Sequence, residues 1–497
     1  MEAHYYLAID QGTTSCRAVL FDSSFNSVCQ EQKEFRQIFP KAGWVEHDAL
    51  EIFEVQVEVV QKLIARAEIS IQEIKSIGIT NQRETVVFWD SLTGKPIYNA
   101  IVWQDTRTSK RCNLLKATKY AKKIKQKTGL IVDPYFSASK MEWILQNVVE
   151  AKVLLKEGRL LFGTIDTWLC WKLTEGRVHA TDVSNASRTM LFNIHTMEWD
   201  EELLEIFNIP CDILPEVKSN VDDFGETNFL QNLEAKIPIS AMAGDQQASL
   251  FGHGCFEPGM LKNTYGTGCF IMMNTGNKVV DSENGLLSTL AWRIDNQTIY
   301  ALEGSVFIAG AAVQWLRDNM GIIKNASETE DLASSVEDTA GSYFVPAFAG
   351  LGAPYWNTSA KGAFLGITRA TRKEHLVRAV LESIAFQNKD VLEVMMMDSN
   401  QKIDAVFVDG GASNNAFLMQ FQADILGMNV QRSVIDETTA KGVAMMASII
   451  SGNKMIDFKK KTFHDKMYFP KMENHVKQEL YSNWLNAVKT IDYQSYL

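Results

Sequence analysis

The sequence predicts an α/β protein made of two domains that share one plan. Two short segments rich in glycine and threonine, 10–15 and 264–268, each separate two apolar stretches of strand length. A third segment, 409–415, joins an apolar strand to a helical pattern. Because the first two segments open the two halves of the chain, we expect one domain at 1–245 and a second at 246–497.

The first half has the segment types of a mixed sheet flanked by helices. Apolar stretches alternate with turn residues, and one long stretch has the apolar spacing of a helix. In chain order we expect strands at 5–9 and 17–21, a helix over Ala49–Ala67, and strands at 74–79, 85–89 and 97–103.

The second half repeats this alternation. Its apolar runs are again short and bounded by Gly, Asp and Asn. We expect strands at 239–243, 269–273 and 405–408, a helix over Ala416–Leu426, and closing helices in the tail after about residue 458.

Composition restricts the class of protein. Of the 497 residues 46% are hydrophobic and 22% charged, which is ordinary for a globular chain. The net charge of −11 counts against a general nucleic-acid binder. Seven dispersed cysteines without a C-x-x-C pair indicate a reducing compartment and no zinc module. With no signal-like start and no apolar run of membrane length, we expect a cytoplasmic protein without membrane insertion.

The segments 10–15 and 264–268 have the chemistry of phosphate-binding turns. Glycine allows close approach of a ligand, consecutive turn amides can bind an anion, and Thr13, Thr14 and Ser15 add hydroxyl donors. Arg17 is near enough in sequence to reach a phosphate, and the carboxylate of Asp10 can hold a hydrated Mg²⁺. A plain surface hairpin is the alternative for each segment. Two such turns facing one cleft would hold a triphosphate from both sides.

The segment 409–415 suits a nucleotide as well as an ordinary loop. Its paired glycines let a flat ring lie on the backbone, and the following helix begins close to Asn415. An ordinary strand–helix connection capped by an asparagine explains it equally well. The chain lacks the G-x-x-x-x-G-K-[ST] and G-x-G-x-x-G motifs, so it is neither a P-loop protein nor a dinucleotide binder of the usual kind.

Two further segments supply candidates for acceptor binding and proton transfer. Asp245 ends an apolar strand and opens a helix, so it is either a helix cap or a general base. Arg83 beside Glu84 can bind a polyol, since the guanidinium donates and the carboxylate accepts. A surface hairpin explains the same pair, and core packing is the ordinary role of aromatic residues such as Trp103 and Tyr135.

Together these segments resemble one known family, the sugar kinases that include glycerol kinase, xylulokinase, ribulokinase and gluconokinase. The resemblance covers nearly the whole chain and includes AIDQGTTS at 8–15, GITNQRET at 78–85, AGDQQASLFG at 243–252, KNTYGTGCF at 262–270 and VDGGASNNAFLMQFQADILG at 408–427. The NQRE and GDQQA segments favour the glycerol-specific branch over a pentulose kinase.

The resemblance implies a fold of two actin-like (ribonuclease H-like) ATPase domains with mixed central sheets flanking a cleft. It implies transfer of a phosphoryl group from ATP, with Mg²⁺, to glycerol, giving sn-glycerol 3-phosphate, the first step of glycerol catabolism. It assigns the general base to Asp245 and glycerol binding to Arg83, Glu84, Trp103, Tyr135, Asp245, Gln246 and Phe270. It assigns nucleotide contacts to Thr13, Thr14, Ser15, Arg17, Thr267, Gly310, Gln314, Gly411 and Asn415, and the metal to Asp10.

Two departures from the family pattern and two alternatives stand beside this expectation. Segment 228–236 lacks the glycine-rich basic loop and the exposed histidine used for regulation in some bacterial members, and Lys441 places a charge on a usually apolar helix face. A kinase for another polyol or pentulose, or a non-enzymatic actin-like ATPase module, are the alternatives. Relatives lead us to expect a homodimer or homotetramer.

Overall fold

The computed structural model describes residues 4–227, 236–348, 350–357, 359–433, 437–459 and 464–494. The segment 228–235, whose sequence departs from the regulatory loops of relatives, lies outside the described residues.

The strands of the described chain are, in order, β1 Tyr5–Gln11, β2 Ser15–Asp22, β3 Ser27–Glu34, β4 Glu46–His47, β5 Ile74–Asn81, β6 Val86–Asp90, β7 Ala100–Ile101, β8 Leu160–Thr164, β9 Ala180–Asp182, β10 Phe192–Asn193, β11 Glu198–Trp199, β12 Glu216–Lys218, β13 Glu226–Thr227, β14 Ile237–Gly244, β15 Leu261–Tyr265, β16 Cys269–Gly276, β17 Leu287–Ile294, β18 Gln297–Val306, β19 Tyr343–Val345, β20 Ala363–Leu365, β21 Ala405–Asp409, β22 Asn429–Ser433 and β23 His464–Tyr468.

The α-helices are α1 Ala49–Ala67, α2 Ser109–Lys116, α3 Tyr120–Thr128, α4 Ser137–Asn147, α5 Val149–Lys156, α6 Ile165–Leu173, α7 Val183–Ala186, α8 Glu201–Phe207, α9 Asp245–Gly252, α10 Gly310–Asp318, α11 Glu328–Ser334, α12 Lys373–Ser399, α13 Ala416–Leu426, α14 Thr438–Ser448, α15 Met455–Lys459 and α16 Asn474–Gln494.

Two large mixed sheets share one arrangement. The first has the order β13-β14-β5-β1-β2-β3, and the second has the order β17-β18-β16-β15-β21-β22-β23. In the first, β1, β2 and β3 are antiparallel neighbours while β5 and β14 continue the sheet in parallel with β1. In the second, β15, β16 and β18 form the antiparallel part, and β21 and β22 the parallel part. The predicted α/β class with mixed sheets is therefore confirmed.

The two glycine- and threonine-rich turns occupy matching places in these sheets. One connects β1 to β2, and the other connects β15 to β16. Each therefore lies at the end of the first strand of its sheet, where the neighbouring parallel strand also ends. The likeness between the halves that the sequence predicted is present in the topology, while the boundary at residue 245 stays a prediction.

Helix α14 joins the two halves. It belongs to the second half of the sequence, yet it packs on α9 and on β1, β5 and β14 of the first sheet. Gly442 permits the close crossing of α9, because a Cβ at this position would overlap the carbonyl oxygen of Ala248. The buried core around Ala440 and Val443 therefore contains residues from both halves.

Most predicted elements form, and two do not form as expected. The two predicted helices have the predicted bounds, and the predicted strands near β1, β5, β14 and β21 extend by only one to three residues. The strand predicted at 97–103 is reduced to β7, because its partner β4 has only two residues and β6 pairs with it at a single position. The tail predicted to be helical contains the edge strand β23 before α16.

The described part of the chain has no helix with the length and apolar character that a membrane crossing needs.

Candidate active site

The first predicted phosphate turn is a tight turn fixed by its surroundings. The amide of Gly12 donates to the carbonyl of Ser15 at 2.9 Å and closes the turn. The indole Nε1 of Trp103 donates to Thr13 Oγ1 at 3.0 Å, and Gln82 Nε2 donates to the Gly12 carbonyl at 3.3 Å. The turn is thus held by residues of the predicted acceptor segments and is more than a plain surface hairpin.

The second predicted phosphate turn supports the start of a helix. The amide of Gly266 donates to the carbonyl of Gly268 at 2.9 Å. The amide of Gly310, the first residue of α10, donates to the Gly266 carbonyl at 3.0 Å. A Cβ at Gly310 would lie 2.6 Å from that carbonyl oxygen, so glycine is needed for this approach.

A cavity of about 540 Å³ opens beside this second turn. Its walls include all five residues of the second half that were predicted to contact nucleotide, namely Thr267, Gly310, Gln314, Gly411 and Asn415. The volume lies within the range of ordinary small-molecule sites. Residues of α10, α11 and α13 converge on one space, which suits a nucleoside.

Asn415 caps α13 and also lines the cavity, while its contact with a nucleotide stays a prediction. Its Oδ1 accepts a hydrogen bond from the Leu418 amide at 2.9 Å, which makes it the N-cap of α13. Its Nδ2 donates to Thr329 Oγ1 at 3.1 Å across the cavity wall. The cap fixes the side chain that lines the cavity, so one residue ends the loop and shapes the site.

Arg83 is the centre of the predicted acceptor site. Its Nε lies 3.3 Å from Asp245 Oδ1 and 3.8 Å from Glu84 Oε1. Residues 81–84 are at most 3% exposed, and β5 and β6 on either side belong to different sheets. The surface-hairpin alternative for this segment is therefore wrong.

The backbone at Glu84 carries strain. Its φ is +62°, a region that residues with a side chain rarely adopt. The hydroxyl of Ser137 donates to the Glu84 carbonyl at 2.9 Å and helps to hold this conformation. Such strain is typical of functional sites, where the surrounding structure fixes a conformation that the isolated chain would avoid.

Asp245 is the first residue of α9 and is not its cap. The N-cap position belongs to Gly244, and the Asp245 carboxylate accepts from the adjacent Gln246 amide at 2.7 Å. Its side chain is 31% exposed, so it is open to the cleft on one side and paired with Arg83 on the other. This setting suits a general base better than a structural cap.

Three aromatic rings from both halves form one side of the acceptor site. The Trp103 ring lies 5.4 Å from the Tyr135 ring and 6.4 Å from the Phe270 ring, both edge to face. Phe270 is on β16, directly after the second phosphate turn. The predicted acceptor residues and the second turn are therefore neighbours in space.

A buried lysine fixes the loop that carries Tyr135. Lys140 Nζ donates to the carbonyls of Pro134, Tyr135 and Phe136, the last two at 3.0 and 3.2 Å. Burial lowers the pKa of Lys140 to about 8. Sequence reasoning missed this residue, whose place on α4 carries no motif.

Three charged residues in the site were also missed. Glu303 on β18 accepts from Arg83 and from Arg188, and Lys262 on β15 donates to Gln246, to Thr264 Oγ1 at 2.9 Å and to the Phe270 carbonyl. Burial lowers the pKa of Lys262 to about 8. The charges of Arg188 and Arg83 lower the pKa of Glu303 to about 2, although burial acts in the opposite direction. A sequence signal did exist, since each charge interrupts an otherwise apolar or small-residue run.

Asp10 has the setting of a Mg²⁺ ligand. Burial and the nearby Asp245 carboxylate raise its pKa to about 6, and Arg17 opposes the shift. The carboxylates of Asp10 and Asp245, whose charges are incompletely balanced, fit a hard divalent cation. Such a cation takes its other ligands from water and phosphate. No group of three or more His, Cys, Asp and Glu side chains in the described ranges is placed to hold a metal ion.

Arg17 has an additional partner that the sequence did not predict. It forms an ion pair with Glu437, which lies in the second half just before α14. Asp10 lies opposite Arg17 in the β1–β2 ladder. Arg17, the residue predicted to bind phosphate, is thus oriented by both halves of the chain.

Lys441 is fully buried on α14. Burial lowers the pKa of His253, and the charge of Lys441 acts in the same direction. His253 Nε2 in turn lies 3.2 Å from Asp409 Oδ2, at the base of the 409–415 segment. Lys441, which departs from the family pattern, therefore lies at the contact between α14 and the end of α9.

Known proteins resemble this chain along nearly its whole length. Family models for the N-terminal and C-terminal domains of the FGGY family of carbohydrate kinases match residues 5–252 and 261–451. The chain is 56% identical to the glycerol kinase of Caldanaerobacter subterraneus subsp. tengcongensis over 98% of both proteins. It is 55% identical to glycerol kinase 2 of Thermotoga maritima over 97% of this chain and 98% of that protein.

Solved structures agree with the sequence relatives. The Plasmodium falciparum glycerol kinase structure with ADP has a TM-score of 0.92 and 38% identity, with 98% of both chains covered. The Lactobacillus acidophilus xylulose kinase, at 23% identity, has a TM-score of 0.89 over 98% of both chains and shows the fold alone. The predicted actin-like fold and the resemblance to sugar kinases are confirmed, and the chain belongs to the FGGY family of carbohydrate kinases.

Proposed function

We propose that this protein transfers the γ-phosphoryl group of ATP to glycerol, giving ADP and sn-glycerol 3-phosphate. The observation that carries the proposal is the cluster around Arg83, in which Asp245 and three aromatic rings lie against the second phosphate turn. Relatives with about 55% identity over nearly their full length are glycerol kinases, which supports the same acceptor.

The acceptor site matches the chemistry of glycerol. Glycerol has three hydroxyls, each able to donate and to accept, on a small carbon chain. Arg83 Nε donates, Glu84 and Asp245 accept, and Gln246 does both. The Trp103 and Phe270 rings cover the carbon side. A site built on such hydrogen bonds rejects analogues that lack a hydroxyl, because a buried partner would then be left unpaired.

Asp245 acts as the general base in this proposal. The hydroxyl oxygen of glycerol attacks the γ-phosphorus, the bond from that phosphorus to the bridging oxygen of ADP breaks, and the hydroxyl proton passes to the Asp245 carboxylate. Arg83, 3.3 Å from Asp245, orients the carboxylate and limits its rotation. Most of the rate enhancement in phosphoryl transfer comes from such positioning and from charge neutralisation.

The two turns and the cavity hold ATP. The nucleoside occupies the cavity lined by Thr267, Gly310, Gln314, Gly411 and Asn415. The phosphates extend towards the first turn, where Thr13, Thr14 and Ser15 offer donors and Arg17 offers a charge. Mg²⁺ held near Asp10 would neutralise phosphate charge during the transfer. The hydrogen bond from Trp103 to Thr13 connects this turn to the acceptor site, which supports the proposed alignment of the two substrates.

The products of the reaction test the proposal. Purified protein is incubated with Mg-ATP and glycerol, and the products are followed by ³¹P NMR. We expect one molecule of glycerol 3-phosphate to form for each ADP. Without glycerol we expect slow ADP release, because the rings of Trp103, Tyr135 and Phe270 exclude water from the acceptor site. Rapid ADP formation without any phosphorylated acceptor would favour the non-enzymatic ATPase alternative and contradict the proposal.

A homodimeric or homotetrameric state and a cytoplasmic location stay predictions. Sedimentation velocity of the purified protein and localisation of a tagged chain are the corresponding tests.

A further inference from the structure

Four charged side chains form a closed cluster behind the acceptor site. Arg83 and Arg188 come from the first half of the chain, and each is at most 3% exposed. Arg188 Nε donates to Glu84 Oε1 at 2.7 Å, and Arg188 Nη2 donates to Glu303 Oε1 at 2.9 Å. Glu303, from β18 of the second half, is 1% exposed. The cluster therefore joins the acceptor site to the second sheet.

Glu303 occupies the terminal nitrogens of Arg83. Arg83 Nη1 donates to Glu303 Oε2 at 2.7 Å, and Arg83 Nη2 donates to Glu303 Oε1 at 2.9 Å. This two-point arrangement is the one by which an arginine recognises the carboxylate or phosphate group of a ligand. Here the protein itself supplies the carboxylate, so Arg83 keeps Nε for the acceptor side, where Asp245 lies.

The charges of the cluster balance without a ligand. Two arginines face two glutamates, while Asp245 and Lys262 lie at its edge. An uncharged polyol leaves this balance unchanged. A hydroxy acid of the same size would bring a carboxylate next to Glu84 and Asp245. The arginines that could pair with this carboxylate are already bound to Glu303, and burying an unpaired charge is costly.

We propose that Glu303 determines acceptor specificity by occupying Arg83 and Arg188, so that the site accepts neutral polyols and excludes hydroxy acids. Without this carboxylate the two arginines form a binding site for the carboxylate of an acceptor such as glycerate. One donor is available already, since the buried Arg188 Nη1 has no hydrogen-bond partner among the described residues. The inference rests on the proposed glycerol kinase activity.

Transfer to glycerate would follow the same course as transfer to glycerol. The bond between the γ-phosphorus and the bridging oxygen of ADP breaks, and a bond forms between that phosphorus and a glycerate hydroxyl oxygen. The hydroxyl proton passes to Asp245, and the products are ADP and phosphoglycerate. The carboxylate of glycerate stays ionised against the arginines and takes no part in the bond changes.

Three variants at this position test the inference: Glu303→Ala opens the site, Glu303→Gln removes the charge at constant size, and Glu303→Asp keeps the charge. Glu142→Ala is the matched control, because Glu142 is a buried carboxylate paired at two points with Arg111, outside the acceptor cluster. For each purified enzyme, kcat/KM is measured for glycerol and for glycerate, and glycerate is measured as an inhibitor competing with glycerol.

In Glu303→Ala we expect KM for glycerol to rise about tenfold or more and the inhibition constant of glycerate to fall about tenfold. The preference for glycerol over glycerate then drops by about 10². Glu303→Gln shifts the preference in the same direction by less, and Glu303→Asp restores much of it. Glu142→Ala leaves the preference unchanged.

A purely structural role predicts a different result. Loss of binding of both acceptors in parallel, with no gain for glycerate, would overturn the inference, as would glycerate competing equally well with the native enzyme. If Glu303→Ala fails to fold, Glu303→Gln and Glu303→Asp decide by the same ratio. Absence of glycerol turnover in the native enzyme would instead refute the proposed function, so the two failures are distinguishable.

Discussion

Replacing Asp245 by Asn removes the general base with little change in shape. The side chain is 31% exposed and, within the described part of the chain, contacts the neighbouring Gln246 amide and Arg83, so folding depends little on it. A positioned general base contributes about 10²–10⁴ in rate, which corresponds to about 3–5 kcal/mol of barrier. The asparagine oxygen can still accept from Arg83 Nε. The loss in glycerol binding is then about 1 kcal/mol, or about a fivefold rise in KM.

Steady-state ADP release under saturating Mg-ATP measures both quantities. We expect kcat of Asp245→Asn to fall by about 10²–10⁴ and KM for glycerol to change by less than about tenfold. Asp90→Asn is the matched control, because Asp90 is also paired with an arginine, Arg159, at 3.0 Å but lies outside the cleft. Near-native turnover of Asp245→Asn, with an unchanged melting temperature, would refute the base assignment.

Three further variants, at the site and at the crossing of α9 and α14, give four predictions. Lys140→Met removes the donors that hold three carbonyls of the Tyr135 loop, so KM for glycerol should rise about tenfold with kcat within about threefold. Burial lowers the pKa of Lys140 to about 8 in the folded protein, so above pH 8 the unfolded chain binds more protons at this lysine than the folded protein does. The melting temperature of the native protein relative to that of Lys140→Met should therefore increase from pH 8 to 10. Asp10→Asn should raise the Mg²⁺ concentration for half-maximal rate about tenfold, as read from a Mg²⁺ titration at fixed ATP, and an unchanged midpoint would exclude Asp10 as a metal ligand. Gly442→Ala should lower the unfolding free energy in urea by about 3 kcal/mol or more because of overlap with Ala248, whereas a shift below about 1 kcal/mol would contradict the close helix crossing.

Local patterns in the sequence were sufficient for the elements that depend on local physics. Helices α1 and α13 have a clear apolar face and a capping side chain, Asp48 and Asn415, at the predicted start. The two turns were predicted because glycine and hydroxyl residues between two apolar strands are typical of tight turns, while their binding of phosphate stays a prediction. Strand β23 was missed because this edge strand, with the sequence HDKMY, lacks the apolar alternation that marks a strand.

Long-range pairing accounts for what the sequence did not show. Arg83 and Glu84 were recognised as a polar pair, yet their partners Arg188 and Glu303 lie more than 100 residues away. The same holds for Arg17 and Glu437, which meet only because α14 returns to the first sheet. A single sequence gives the side chains at such a site, while the folded chain decides which charges neutralise each other.

The acceptor-dependent rate of ADP release tests the central claim most directly. Native enzyme with Mg-ATP is assayed against glycerol, erythritol, xylulose, ribulose and gluconate under identical conditions. We predict fast, saturable turnover with glycerol and at least about 10²-fold lower kcat/KM for the others. Absence of ADP release with glycerol, together with turnover of another compound in the panel, would contradict the acceptor assignment that rests on Arg83, Glu84 and Gln246.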